Sequence, residues 1–328
     1  MKEGWERMEP PAVLGLRQLA EIIKPAFPGK KLLAAERIGV GLSNANYKIF
    51  LDGSTAPYVL RLYRGNAAIA GKETAIAQRI RHLVPVADFL YMDWSGSTFG
   101  KPWAILEWKE GILLRDVFRS GNGSGIASAA ASAGRTLAKI HSFAFSETGF
   151  FDQDLKIADP LRMGGSRLLS FIESCLFDGA CGEWLGKDMA HEVGSFCRKY
   201  SPLLTESQQT PVLVHSDYNG LNILMQPGPA GYSVSAVLDW EDAFAWSRYA
   251  DIANMLRYEE DGSVIEQHFI RAYQEEGTAL EPNWKLLSKL EDMAALCDML
   301  NHSTVNTPTR VSDLKHLITK TVRSYDRI

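Results

Sequence analysis

The chain has 328 residues, of which 46% are hydrophobic and 23% charged, a composition that excludes a disordered or fibrous protein and leaves room for two lobes. Its net charge of −4 argues against a nucleic-acid partner. No apolar run approaches the ~18 residues of a membrane span, and the opening MKEGWERMEPPAVLGL lacks the apolar segment of a secretory signal.

In chain order, the first predicted element is an amphipathic helix over Leu14–Phe27. Leu16, Leu19, Ile22 and Ile23 share one face, and Pro25 and Pro28 mark its end. Two β-rich runs follow, Tyr47–Leu51 and Tyr58–Tyr63, separated by the Asp52-Gly53 turn. Ahead of the first lies Gly39-Val-Gly-Leu-Ser43-Asn44, a small-residue turn. Such a turn lets backbone N–H groups and the Ser43 and Asn44 side chains approach phosphates.

Arg61 interrupts an apolar strand, so its charge requires a partner or an anion. Glu73 is the predicted partner, on a helix in which Ile76, Ile80 and Leu83 recur at helical spacing. A strand cation paired with a helix acid can anchor the phosphates of a nucleotide. Lys72 is a competing cation, less well placed because it lies on the helix itself. The segment Val84–Trp108 predicts a further hairpin about Ser95-Gly-Ser, with Trp103–Trp108 as the last strand of a first lobe. Beyond that strand, a linker carrying Glu107 and Trp108 would offer backbone groups and apolar surface to an adenine. The boundary is expected near Lys109–Gly111, giving an N-terminal lobe over 1–109 and a C-terminal lobe over 110–328.

An Ala-rich helix is predicted over Ile126–Phe143, with His141 at its end as a packing or capping residue. Helices are also expected at Arg167–Phe177, Met189–Tyr200, Arg248–Arg257, Val264–Gln274, Trp284–Asn301 and Val311–Tyr325. The cysteines, at 175, 181, 197 and 297, form no Cys-x-x-Cys pair. A zinc site is therefore not expected, and a reducing cytoplasm is.

The most informative stretch is Pro211–Asp242. Val212–Val214 leads into His215-Ser-Asp217, Asn222 opens Asn-Ile-Leu-Met, and Ser235–Leu238 delivers Asp239. Short apolar runs between turn residues predict three strands, each presenting one polar group at a shared edge. A carboxylate at Asp217 can accept a hydroxyl proton. Asn222, five positions on, and Asp239 can then share one Mg²⁺–nucleotide, because Mg²⁺ takes oxygen ligands and needs few protein carboxylates. Asp251, at the start of the next helix, is expected to brace the loop by accepting backbone N–H bonds.

These residues resemble the aminoglycoside phosphotransferase and choline-kinase-like group. The resemblance runs through Ser43-Asn44, Val59-Leu-Arg61, Glu73, Leu106-Glu107-Trp108, His215-Ser-Asp217 to Asn222, Val237-Leu-Asp239-Trp-Glu241 and Asp251-Ile-Ala. It implies an α+β, bilobal protein-kinase-like fold with a small antiparallel-sheet N-lobe of five strands and a larger, mainly helical C-lobe. It implies ATP or GTP as phosphate donor, Mg²⁺ as cofactor and a small-molecule hydroxyl as acceptor. In that frame Asp217 is the base or hydroxyl-positioning group. Asn222 and Asp239 hold the metal, and Arg61 with Glu73 holds the phosphates. Glu241 lies beside the metal site. Asp242, Glu259, Glu260 and Asp261 are candidate acceptor contacts, and a monomer or homodimer is expected. A nucleotide-binding pseudo-enzyme with a scaffolding role is the competing reading. A metal-dependent hydrolase built on His215 and Asp217 would need further ligands that the sequence does not offer.

Overall fold

The computed structural model describes residues 2–6, 14–39, 44–65, 67–204, 210–277 and 279–325. An antiparallel sheet dominates the first third of the chain. It comprises β1 (Leu32–Ile38), β2 (Ala45–Leu51), β3 (Tyr58–Leu62), β4 (Phe89–Asp93) and β5 (Trp103–Glu107), in the order β1-β2-β3-β5-β4. Alternation along β2 sends Tyr47, Ile49 and Leu51 to one face. There they meet Leu60, Leu62, Trp103 and Ile105 and are covered by Leu19, Ile22 and Ile23 of α1 (Leu16–Ile23). That helix is shorter than its apolar periodicity predicts, because the chain turns off after Ile23, ahead of Pro25. The opposite face of the sheet carries Asn46, Lys48 and Arg61 (Arg61 lies across from Asn46). The helix α2 (Ala67–Ile80) follows β3 and sends Ile76, Ala77 and Ile80 into the larger core of the second lobe.

That larger core is helical with two small sheets. Its first elements are β6 (Ile112–Leu113), α3 (Leu114–Arg119) and α4 (Gly123–Ile140). The short strands β7 (Gly149–Phe151) and β8 (Ile157–Pro160) lead to α5 (Gly165–Glu173), α6 (Cys181–Leu185) and α7 (Lys187–Tyr200). The central segment supplies β9 (Val212–Val214), β10 (Ile223–Gly228), β11 (Gly231–Val237) and β12 (Phe244–Trp246). Four helices complete the described chain: α8 (Tyr249–Leu256), α9 (Val264–Glu276), α10 (Trp284–Asn301) and α11 (Pro308–Tyr325). Helices α4 and α9 close tightly because Gly134 has no side chain; a Cβ there would sit 2.2 Å from the Phe269 carbonyl oxygen.

Two features depart from expectation. The three strands around Asp217 do not form one sheet. The β10–β11 hairpin pairs with β6, whereas β9 pairs with β12 in a separate sheet ordered β8-β7-β12-β9. The chain reverses between them through Ser216, at φ 72°. Secondly, residues 2–6 leave the first lobe. Lys2–Gly4 forms a single 3₁₀ turn, and Trp5 is buried in the core of the second lobe. Among the described residues no helix is long and apolar enough to cross a membrane. All four cysteines are free and buried.

Candidate active site

The loop after β9 is fixed from beneath. Asp251 lies on the first turn of α8 and is fully buried. Its carboxylate accepts the backbone N–H groups of His215 (2.7 Å) and Ser216 (2.8 Å). These contacts hold Ser216 in the left-handed region, which costs a non-glycine residue about 1 kcal/mol or more. His141 adds a third bond to Asp251, at 3.2 Å through Nε2, and its Nδ1 lies 2.8 Å from the Tyr273 hydroxyl. Burial keeps the His141 imidazole neutral by holding its pKa low. A carboxylate can only accept, so Nε2–H donates to Asp251 and Nδ1 accepts from Tyr273. His141 does end α4, but it is also the link from α9 to the loop. Its sequence context gave no sign of that, since Asp251 and Tyr273 lie more than a hundred residues away.

The same donor logic places His215. Its Nε2–H donates to the Leu238 carbonyl at 2.8 Å, and its Nδ1 accepts from the Asp217 N–H at 3.2 Å. It ties the loop to the residue before Asp239 and is wholly buried. Asp217 is held on both oxygens. Oδ2 accepts from Asn222 Nδ2 at 2.9 Å, and Oδ1 accepts from Asn219 Nδ2 at 2.8 Å and from the Lys2 ammonium at 2.5 Å. Burial pushes the Asp217 carboxyl up, but the Lys2 charge and hydrogen bond, together with His215 and Arg257, hold it below its ordinary range. Asn254 completes the floor, donating to the Ser216 carbonyl and accepting from Asn219, each at 3.1 Å. Its three-residue spacing from Asp251, which puts both on one helical face, was the available signal for it.

Asn222 and Asp239 stand at the same end of the β10–β11 hairpin. Ile223 pairs with Val237, and the Leu238 N–H donates to the Asn222 carbonyl at 2.8 Å. Asp239 also adopts a positive φ, 67°. Asn222 spends its amide N–H₂ on Asp217, which makes its carboxamide oxygen the ligand-type atom.

Across the cleft, Arg61 reaches down from β3. Its Nη2 lies 2.6 Å from Asp239 Oδ1, 2.9 Å from Glu73 Oε1 and 3.8 Å from Glu241 Oε2. Tyr63 donates to Glu73 at 2.7 Å, and Asn44 donates to Glu241 at 2.5 Å while accepting from the Arg64 N–H. Lys72, the competing cation, is buried in this group too, and its Nζ donates to the Ala243 carbonyl at 3.1 Å. Four carboxyls (Glu73, Asp239, Glu241 and Asp242) therefore share two cations. Burial and the neighbouring Asp239 push Glu241 up to about 7 and raise Asp242. Burial likewise raises Glu73 against the pull of Arg61.

The donor chemistry fits a divalent cation. The carboxyls outnumber the cations, and the available ligands are oxygens of Asp239, Asn222 and Glu241, the type that Mg²⁺ selects. Among the described residues no three His, Cys, Asp or Glu side chains form a ready-made metal cluster, and Mg²⁺ sites seldom need one. Two buried polar atoms on this face, Asn46 Oδ1 and Arg61 Nε, make no hydrogen bond within the described residues. A phosphate-bearing ligand is a natural partner for the latter.

The remaining expected residues fall outside this cluster. Ser43 lies outside the described residues. Glu107 pairs with Lys109 at 2.9 Å, and Trp108 donates to Glu110 at 2.6 Å with the Lys48 ammonium 4.0 Å from its ring centroid. Glu260 and Asp261 are exposed and paired with Lys320 and Lys285. Glu259 lines a narrow cleft beside Asp217, with Lys2, Asn219, Asn254, Arg257 and Tyr258.

A family model described as "Phosphotransferase enzyme family" matches residues 34–287. No curated protein matches significantly by sequence. Among solved structures, the chain is similar to aminoglycoside phosphotransferase APH(4)-Ia. The TM-score is 0.71 at 14% identity, over 95% of this chain and 99% of that one. A thermostable mutant of that protein in ternary complex with AMP-PNP and hygromycin B superposes with a TM-score of 0.68 at 14% identity, over 94% and 98% of the two chains. The GDP and kanamycin complex of APH(2")-IIia gives a TM-score of 0.71 at 15% identity, over 93% and 98%. These likenesses show the α+β, bilobal protein-kinase-like fold that the motifs imply.

Proposed function

The chain belongs to the phosphotransferase enzyme family, and from that premise we propose that it moves the γ-phosphoryl group of ATP or GTP to a hydroxyl of a small amino- and hydroxyl-bearing molecule, with Mg²⁺ as cofactor. The observation that carries this reading is the juxtaposition of two unlike groups. One is a carboxylate, Asp217, oriented by Asn219 and Asn222. The other is the acid-rich cluster on Arg61 that begins across the same hairpin end. Phosphoryl transfer has a loose transition state, so positioning and charge neutralisation supply most of the catalysis.

In this reading Asp217 receives the hydroxyl proton of the acceptor and fixes that oxygen for in-line attack. Asn222 and Asp239 hold the metal, with Glu241 beside them. When bound, the ion would neutralise and orient the triphosphate. Arg61, kept in place by Glu73, binds phosphate oxygens and stays charged despite burial because its acidic neighbours outweigh the desolvation. Asn44 covers the phosphates, with Ser43 a further proposed phosphate contact, and the Glu107–Trp108 connection meets the base. The neighbours' complexes support the donor and acceptor classes: one holds AMP-PNP with hygromycin B, the other GDP with kanamycin.

The test is ADP or GDP release over a panel that includes kanamycin, hygromycin B, choline and simple amino sugars, with and without Mg²⁺. Metal-dependent release stimulated by at least one acceptor is expected. Nucleotide binding with no stimulated release by any of them would count against the acceptor class.

A further inference from the structure

The N-terminal turn is tied down at every residue whose side chain the structure describes. Trp5 is buried and donates to Asp313 Oδ2 at 2.9 Å, and the Arg310 guanidinium lies 5.3 Å from its ring centroid. Glu6 accepts the N–H groups of Thr309 (2.7 Å) and Arg310 (3.2 Å) at the start of α11, capping a helix end that would otherwise lack partners. Tyr258 donates to the same Asp313 oxygen at 2.5 Å, so the anchor is continuous with the wall of the narrow cleft beside Asp217. From this anchor Lys2 extends into that cleft and reaches Asp217 Oδ1.

The contact has a chemical consequence. An acceptor hydroxyl must donate its hydrogen to Asp217 before transfer. Lys2 already donates to that carboxylate, and Asn219 and Asn222 occupy other positions on it. An ammonium is the stronger donor and also lowers the basicity of the oxygen it holds. Oδ1 accepts from both Lys2 and Asn219, whereas Oδ2 accepts from Asn222, so at Oδ1 Lys2 and an acceptor hydroxyl are alternative occupants.

We propose that the N-terminal turn is an intramolecular competitor of the acceptor, with Lys2 filling the hydroxyl position at Asp217 until the turn lifts from α11. This rests on the phosphotransferase reading of the site. Among the described residues Trp5 and Glu6, which hold the turn on α11, contact neither the hairpin end nor Arg61, so lifting the turn leaves the Arg61–Glu73 pair in place and withdraws only the Lys2 charge that acts on Asp217 and Asp242.

The test uses the full chain and water as the acceptor probe, reading Mg-ATP hydrolysis as ADP release. Lys2→Gln removes the part-buried ion pair, and Glu6→Ala frees the anchor without opening a core cavity. Both are expected to raise hydrolysis roughly tenfold, the equivalent of one charge-assisted hydrogen bond, with unchanged affinity for Mg-ATP. Unchanged or reduced hydrolysis in both variants would overturn the proposal; a reduction would make Lys2 a participant in transfer. Hydrogen exchange of the peptide spanning residues 2–6 supplies a readout independent of turnover. Lys2→Gln and Asp217→Asn should each speed that exchange, and protection equal to wild type in both would also overturn the proposal. Faster exchange together with no ADP release from any protein, the wild type included, would instead sink the phosphotransferase reading.

Discussion

Beneath the catalytic loop, both oxygens of Asp251 are matched to donors: the His215 and Ser216 amides and the His141 ring. Across the cleft, four carboxyls lean on Arg61 and Lys72, and one of them is pushed up to about 7. Both regions are acidic and largely buried, yet among the described residues only the first has its acid fully matched to donors. A buried acid whose bonds are satisfied internally serves to hold backbone. A buried acid in excess of its cations is kept for something the chain does not supply. Burial alone therefore does not distinguish scaffold from site; the balance of partners does.

The comparison can be broken at several points. The largest effect is expected at the group between the two regions. Asp217→Asn keeps the side-chain shape but turns one of two acceptor oxygens into a donor and cannot take a proton, so kcat should fall by about a thousandfold or more while Mg-ATP affinity holds in a nucleotide titration. Wild-type turnover would remove Asp217 from the proton-accepting role. Next is the complete region. Asp251→Ala orphans two backbone amides and a buried ring N–H, which should cost about 3 kcal/mol of stability in denaturant unfolding. A loss below ~1 kcal/mol would show that the brace is dispensable.

A third acid isolates burial from function. Glu291 on α10 is buried, makes no ion pair among the described residues, accepts from Trp246 Nε1 at 2.9 Å and is pushed up to about 7, chiefly by desolvation. Its folded carboxyl binds a proton more readily than the unfolded chain does, whose ordinary value is 4.5. The resulting stability is full below pH ~4.5 and is lost as the pH rises through about 7, by up to about 3 kcal/mol. Glu291→Gln should flatten that loss between pH 5 and 8; an unchanged slope would show that Glu291 is not its source. The smallest effect is the sharpest for the comparison. Glu241→Gln relieves the acid surplus, so the free protein should gain about 1 kcal/mol while Mg-ATP affinity falls. A destabilised variant would mean that the cluster is already balanced.

Legibility in the sequence followed distance along the chain. The hairpin carrying Asn222 and Asp239 reads directly from apolar runs and turn residues, and so does the alternation that puts Tyr47, Ile49 and Leu51 under α1. The Arg61–Glu73 pair is legible because a charge in an apolar strand demands a counter-ion nearby. The partners from remote elements were not legible: Lys2 at Asp217, His141 and Tyr273 behind Asp251, and Asn44 against Glu241. Nor was the split of β9 from the β10–β11 hairpin, which depends on one left-handed residue held by a helix further on.

By itself, the sequence determined the elements and the chemical kinds at their ends, because side-chain periodicity and turn preference act over a few residues. Only the tertiary structure decided how the charges are shared, that two carboxyls lie in surplus and that an N-terminal lysine sits on Asp217. Electrostatic balance is a property of groups within a few ångströms in space, and nothing in local spacing encodes which distant segments will meet there.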